Sequence, residues 1–189
     1  MERHLEHAFQ IGEFIDFKHP IFGRMNGTRP TQLHRWLAGV VVSLRPEHVL
    51  EIDPGDGLTT LSLLCMMPHL STLTAVDRTG EFGSVPPDWL SDPRLNLVVA
   101  DPESERAYDS IRIMGINTLM LNDTRDLDRL NKLWELCEPL LAPSALVILR
   151  NTNLRNFAAA DFLDGIVYPK LDLSERFLPE GLGVFVCKE

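Results

Sequence analysis

The sequence predicts an α/β domain: a doubly wound, mostly parallel sheet with helices on both faces and an antiparallel hairpin at the C-terminus. Three observations predict it. First, short apolar runs at His48–Asp53, Leu73–Asp77, Leu95–Asp101, Ile116–Leu121 and Ala145–Leu149 read as buried strands. Second, segments with helical apolar spacing lie between most of these runs, so the strands must be joined by crossovers. Third, acids stand at the ends of four runs, at Asp53, Asp77, Asp101 and Asp123.

Each element has its own signal. Residues 1–30 form a lead segment in which Phe9, Phe14, Phe17 and Phe22 are expected to pack onto the body, with Gly23–Pro30 as a connecting loop. Thr31 reads as an N-cap, and Leu33, Trp36, Leu37, Val40, Val41 and Leu44 recur at helical spacing until Pro46. After the first strand come a glycine-rich turn and a helix over Leu58–Met67, stopped by Pro68. The second strand ends at Asp77, and the loop Thr79–Pro93 has room for only one turn, at Pro87–Leu90. Beyond the third strand, Asp101 and Pro102 are placed to cap and open a helix carrying Ala107, Ile111 and Met114 inward.

The fourth strand runs into Asn122-Asp123-Thr124-Arg125-Asp126, and Leu127, Leu130, Leu133, Trp134, Cys137 and Leu141 mark an amphipathic helix. Pro143-Ser144 turns into the fifth strand. Asn153 is expected to cap a helix through Phe157 and Phe162, and the last strands, Leu173–Leu178 and Leu182–Val186, flank a Pro179-Glu180-Gly181 turn. The 189 residues, 44% of them hydrophobic, suit one domain over 1–189.

Composition narrows the function. A net charge of −9 with no dense Lys/Arg run argues against a nucleic-acid partner. No apolar run is long enough to span a bilayer, and the charged start, Met1–His7, lacks the apolar stretch of a secretory leader. Cys65, Cys137 and Cys187 stand alone in apolar segments and read as free buried thiols, so a cytoplasmic location is expected.

The candidate site follows from the acids. In an open α/β sheet, ligands bind beyond the carboxyl ends of the strands, near the switch point. A carboxylate there accepts bonds from both hydroxyls of a ribose and suits a nearby positive charge. The turn Glu51-Ile52-Asp53-Pro54-Gly55-Asp56-Gly57 brings backbone close to such a ligand, with a helix N-terminus behind it.

The order of elements and these motifs together resemble the class I S-adenosylmethionine-dependent methyltransferases, in particular the small O-methyltransferase-like branch, over residues 30–189. The resemblance implies a Rossmann-like seven-stranded sheet whose last strand is inserted antiparallel. Glu51–Gly57 is similar to the family's E-x-G-x-G-x-G turn, which wraps the cofactor's methionine end. Asp77 matches the acid that binds the ribose, and Asp101 the acid that faces the adenine amine. Ile116–Asp123, with Asn122, matches the fourth-strand end. Leu140–Leu146 resembles the "LLxPGG" turn, and Gly181–Val184 the last strand. The resemblance implies S-adenosylmethionine as cofactor and a small-molecule acceptor. It assigns Glu51, Asp53, Gly55, Gly57, Asp77, Asp101 and Asn122 to cofactor binding. Asp123 itself reads either as a general base or as a charge near the N-terminus of the next helix, which is enough to place it.

The departures matter. Asp53 replaces the first glycine, and Pro143-Ser144 replaces the usual glycine pair. The metal-dependent relatives use carboxylates at the ends of the fourth and fifth strands, whereas the fifth strand here offers Arg150-Asn151; an arginine repels a divalent cation, so no catalytic metal is expected. Arg150 and Asn151 read either as a cradle for an anionic acceptor or as a solvated strand end. His19, His34 and His69 read as surface or packing residues rather than bases. Trp36, Trp89 and Trp134 read as core, with Trp89 the one available to stack on an adenine. The lost glycines also fit a non-catalytic module of the same fold. A dinucleotide oxidoreductase fits less well, because no third glycine follows Gly57 at the required spacing. A homodimer is compatible with the sequence.

Overall fold

A computed structural model of the chain describes Glu6, His7, Gln10 and residues 31–83, 85–111, 115–173, 175 and 180–187. Most of the lead segment, its four phenylalanines, the 23–30 loop and His19 therefore lie outside the described residues, as does Met114.

Helix α1 (Gln32–Leu44) begins at Thr31, whose amide and hydroxyl both donate to His34 Nδ1 at 3.0 and 2.8 Å. This reciprocal capping satisfies amides that the first turn leaves unpaired. Strand β1 (His48–Ile52) follows, then helix α2 (Leu58–Leu64), strand β2 (Thr72–Asp77) and the single turn α3 (Pro87–Leu90). Strand β3 (Leu95–Val99) leads through a 3₁₀ turn at Glu105–Tyr108 to strand β4 (Ile116–Leu121) and helix α4 (Leu127–Cys137). Strand β5 (Leu141–Arg150), helix α5 (Ala159–Gly165) and strands β6 (Lys170–Asp172) and β7 (Leu182–Val186) complete the chain.

The seven strands form one sheet in the order β3-β2-β1-β4-β5-β7-β6. Strands β1 to β5 pair in parallel, while β7 lies antiparallel between β5 and β6. Alternation along the central strands explains the two helical layers. Leu50, Ile52, Leu119, Leu121, Val147 and Leu149 face one core with α4 and α5. Val49, Met120, Leu146 and Ile148 face the other, with Trp36, Leu37 and Val40 of α1. All of these are at most 3% exposed, and each fully buried aliphatic side chain contributes about 1.5–3 kcal/mol. No helix among the described residues is long and apolar enough to cross a membrane.

Four elements differ from expectation. The segment after Pro102 makes only a 3₁₀ turn, though Ala107 and Ile111 are buried as expected. Tyr108 anchors that turn, its hydroxyl donating to the Pro102 carbonyl at 2.6 Å. The helix expected from Asn153 begins only at Ala159; the Ala158 amide is held by the Thr124 carbonyl at 2.7 Å, which ties the loop to the β4 end first. A sixth strand forms at Lys170–Asp172, ahead of the expected Leu173–Leu178, of which residues 174 and 176–178 lie outside the described residues. Strand β5 starts at Leu141, so Pro143-Ser144 lies inside it, with Ser144 at φ 60° where the β4 register shifts.

Candidate functional site

Strand β1 has β2 on one side and β4 on the other, so the sheet's switch point falls between β1 and β4. A cavity of about 360 Å³ opens there at the carboxyl ends of the strands. Its floor and walls come from successive strand ends: Asp77 from β2, Asp53 after β1, Asn122 and Asp123 after β4, and Arg150 at the end of β5. Gly55, Asp56, Arg125, Asn151 and Phe157 close its sides.

The glycine turn divides its work. Gly55, at φ 62°, lines the cavity, and a Cβ there would meet nothing within 4 Å. Gly57, at φ 81°, caps α2 instead, and a Cβ there would lie 2.5 Å from Val85 Cγ2 and 2.9 Å from Phe82 Cβ. The first glycine gives room to a ligand; the second gives room to the loop that follows β2.

Asp53 stands in the place where the family pattern has glycine, and its backbone keeps a glycine-like φ of 52°. Its carboxylate meets Arg129 Nη2 at 2.6 Å. Burial pushes the Asp53 carboxyl above its ordinary range, and repulsion from Asp123 and Asp77 adds to this, against the pull of Arg129. Arg129 comes from the first turn of α4, whose N-cap Asp126 holds its amide at 2.8 Å. Its guanidinium also reaches Asp123 at 3.0 Å and Glu103 at 3.1 Å. Glu103 in turn meets Arg78 at 3.1 Å, and Arg78 meets Asp101 at 3.0 Å. Arg129, Glu103 and Arg78 were not singled out from the sequence, because their partners are distant along the chain and carry no motif.

The other predicted residues fall in distinct places. Asp77 Oδ1 accepts from the Thr79 amide and hydroxyl and from the Gly80 amide, at 2.8–2.9 Å. Burial alone would raise this carboxyl, but those bonds outweigh it and hold the group below the usual range. Oδ2 takes no part in these bonds. Glu51 is fully buried and does not line the cavity. It accepts from the Thr59 hydroxyl, from the Thr60 hydroxyl at 2.6 Å and from Asn122 Nδ2 at 3.0 Å, thereby joining β1 to α2 and β4. Burial pushes its carboxyl up, against these three bonds.

Asp101 is half-exposed beside Arg78, accepts the Glu103 amide at 3.0 Å, and stands outside the cavity lining. Asp123 lines the cavity with two arginines as neighbours, Arg129 and Arg125. Trp89 packs on the apolar clusters beside Leu95, away from the cavity. His34 is buried in the α1 cap; burial first, then the charge of Arg150, lowers its pKa to about 4. No group of three or more His, Cys, Asp or Glu side chains is placed to hold a metal among the described residues. Cys65, Cys137 and Cys187 are free thiols.

A doubly wound sheet with an inserted antiparallel strand, open at its switch point onto a cavity of acids and glycine, is a Rossmann-like α/β architecture. Solved structures narrow that class. A methyltransferase from Geobacter sulfurreducens superposes with a TM-score of 0.67 at 18% identity, over 96% of this chain and 88% of that one. A putative caffeoyl-CoA O-methyltransferase from Staphylococcus aureus gives 0.68 at 12% identity, over 96% and 91%. An O-methyltransferase from Bacillus cereus, solved in complex with S-adenosylhomocysteine, gives 0.66 at 13% identity, over 98% and 91%. The chain thus has the fold of the S-adenosylmethionine-dependent O-methyltransferases. No family model matches the sequence, and no curated protein matches it.

Proposed function

We propose that the chain is an S-adenosylmethionine-dependent methyltransferase acting on a small-molecule acceptor without a catalytic metal. The observation that carries this reading is the strand-end cavity in which Asp77, Asp53 and Gly55 stand side by side at the switch point. These residues would suit the cofactor: Asp77, whose Oδ1 is taken by the 79–80 turn, would offer Oδ2 to the ribose hydroxyls, Gly55 an open face for close approach, and Asp53 a carboxylate for the amino group. When bound, the cofactor supplies an activated methyl group on a cationic sulfur. The acids at 53, 77 and 123 would favour that positive charge, and the residues at the β4–β5 rim would hold the acceptor. Positioning supplies most of the rate in such a displacement, so a strong base is not required. Asp123 is the candidate base, ion-paired with Arg125 at 3.4 Å and Arg129 at 3.0 Å. Arg150 in the cavity wall opposes a divalent cation there.

A second reading, a binding module that no longer takes the cofactor, is favoured by the ion pair of Asp53 with Arg129 at the cavity. Calorimetric titration with S-adenosylmethionine and S-adenosylhomocysteine separates the two. Micromolar binding, followed by EDTA-insensitive methyl transfer to an acceptor, supports the enzyme. No heat at millimolar ligand removes it and leaves the module.

A further inference from the structure

We propose that the β5 end of the cavity is a docking site for a flat acceptor bearing a single carboxylate, held by Arg150 with Arg125 beside it; only the word acceptor rests on the transferase reading. Arg150 is the last residue of β5, and its side chain is 21% exposed. One of its N–H groups meets Glu180 at 2.9 Å, and another reaches Asn122 Oδ1 only at 3.4 Å. Its Nε is buried and has no partner. A guanidinium offers five donors in one plane; each terminal nitrogen here uses one of its two, so one donor on each remains for a planar carboxylate.

The surroundings select the class of ligand. Arg125 adds a second guanidinium to the lining, 5.9 Å from the centroid of the Phe157 ring. The ring gives the wall an apolar plate beside two cations, which suits a flat body with an acidic end. Asp53, Asp56, Asp77 and Asp123 also line the cavity. Attraction to the arginines and repulsion from these acids both scale with the ligand's charge, but the cost of stripping its hydration rises with the square of that charge, which favours a monoanion over a phosphate dianion. Glu180, 43% exposed, is the present partner of Arg150 and the group that an incoming carboxylate would replace.

The test uses the full chain with benzoate, benzamide and phenyl phosphate as probes, by ligand-detected NMR titration. Benzoate is expected to bind about tenfold or more tightly than benzamide, the factor that a charge-assisted pair gives. Arg150→Gln is expected to abolish that preference, and Glu180→Gln to tighten benzoate several-fold. Equal binding of benzoate and benzamide, an undiminished preference in folded Arg150→Gln, or tighter binding of phenyl phosphate would each overturn the proposal. If Arg150→Gln does not fold, weaker benzoate binding by Glu180→Gln overturns it instead. S-adenosylhomocysteine is titrated separately into the same proteins. Its failure to bind, with the benzoate preference intact, would remove the transferase reading and leave the anion site standing.

Discussion

Arg129→Gln and Asp53→Gly break the same 2.6 Å ion pair, yet they are expected to differ in cost. Arg129→Gln removes the cation shared by Asp53, Glu103 and Asp123, whose side chains are 16%, 24% and 36% exposed. Orphaning a buried charge costs about 3–5 kcal/mol. Partial hydration, and the retention of Arg78 and Lys132 by Glu103, reduce this to about 2–3 kcal/mol. Asp53→Gly removes one acid from a cluster that repels it and relaxes a φ of 52°. Relief of the left-handed strain, about 1 kcal/mol, offsets most of a lost charge-assisted bond of about 1.5–3 kcal/mol. Arg129 meanwhile keeps its other two acids. Asp53→Gly should therefore cost about 1 kcal/mol or less, and the gap between the variants should show directly in urea unfolding at pH 7.5. The gap has a sign with pH. Without Arg129, burial raises the Asp53 carboxyl unopposed, so the folded variant binds protons more readily than the unfolded chain. The Arg129→Gln deficit should therefore shrink as pH falls toward 5. Equal losses, or a greater loss for Asp53→Gly, would refute this account of the cluster.

Three further outcomes follow from buried groups and turns. Burial raises the Glu51 carboxyl, so the folded state keeps this proton to higher pH than the unfolded state, and stability falls as pH rises through the folded value. Glu51→Gln does not titrate, so its urea midpoint should improve relative to wild type between pH 5 and 8; a constant difference would show that the charged form is not penalised. Burial lowers His34 to about 4, so wild-type stability should drop as pH falls from 6.5 toward 4, and His34→Gln should flatten that slope in thermal melts. Gly55→Ala and Gly57→Ala both meet a positive φ, at about 1 kcal/mol each. Only Gly57→Ala also drives a methyl into Phe82 and Val85, adding about 1–3 kcal/mol, so its melting temperature should fall further; equal shifts would remove the packing role assigned to Gly57.

The framework of the fold was legible because burial on both faces leaves long apolar runs in the central strands. Leu146, Val147, Ile148 and Leu149 supply both cores alternately, and such a run has few readings other than a buried strand. Elements at the margins were less legible, since local contacts there yield to distant ones. The Ala158 amide is held by the Thr124 carbonyl from the β4 end, so Asn153 does not start the helix that its capping propensity suggests. In the segment after Pro102, Tyr108 bonds back to the Pro102 carbonyl and fixes a 3₁₀ turn where apolar spacing favoured a full helix.

The site was legible residue by residue but not in its order. Along the chain the strand-end groups run Asp53, Asp77, Asp101, Asp123, Arg150, which reads as a list of acids with a stray cation. The sheet runs β3-β2-β1-β4-β5, and this reordering sets Asp77 and Asp53 on one side of Asp123 and Arg150 on the other. The strand-end groups are therefore acids from β2 through β4, and a cation stands at β5. A charge sequence of that kind gives the cavity an acidic side over β2 and β1 and a basic side at β5. Asp53 completes the arrangement. A glycine in its place would leave the β1 end neutral, whereas an aspartate, short and polar enough to tolerate the left-handed backbone, puts a carboxylate there and pairs it with Arg129 at 2.6 Å.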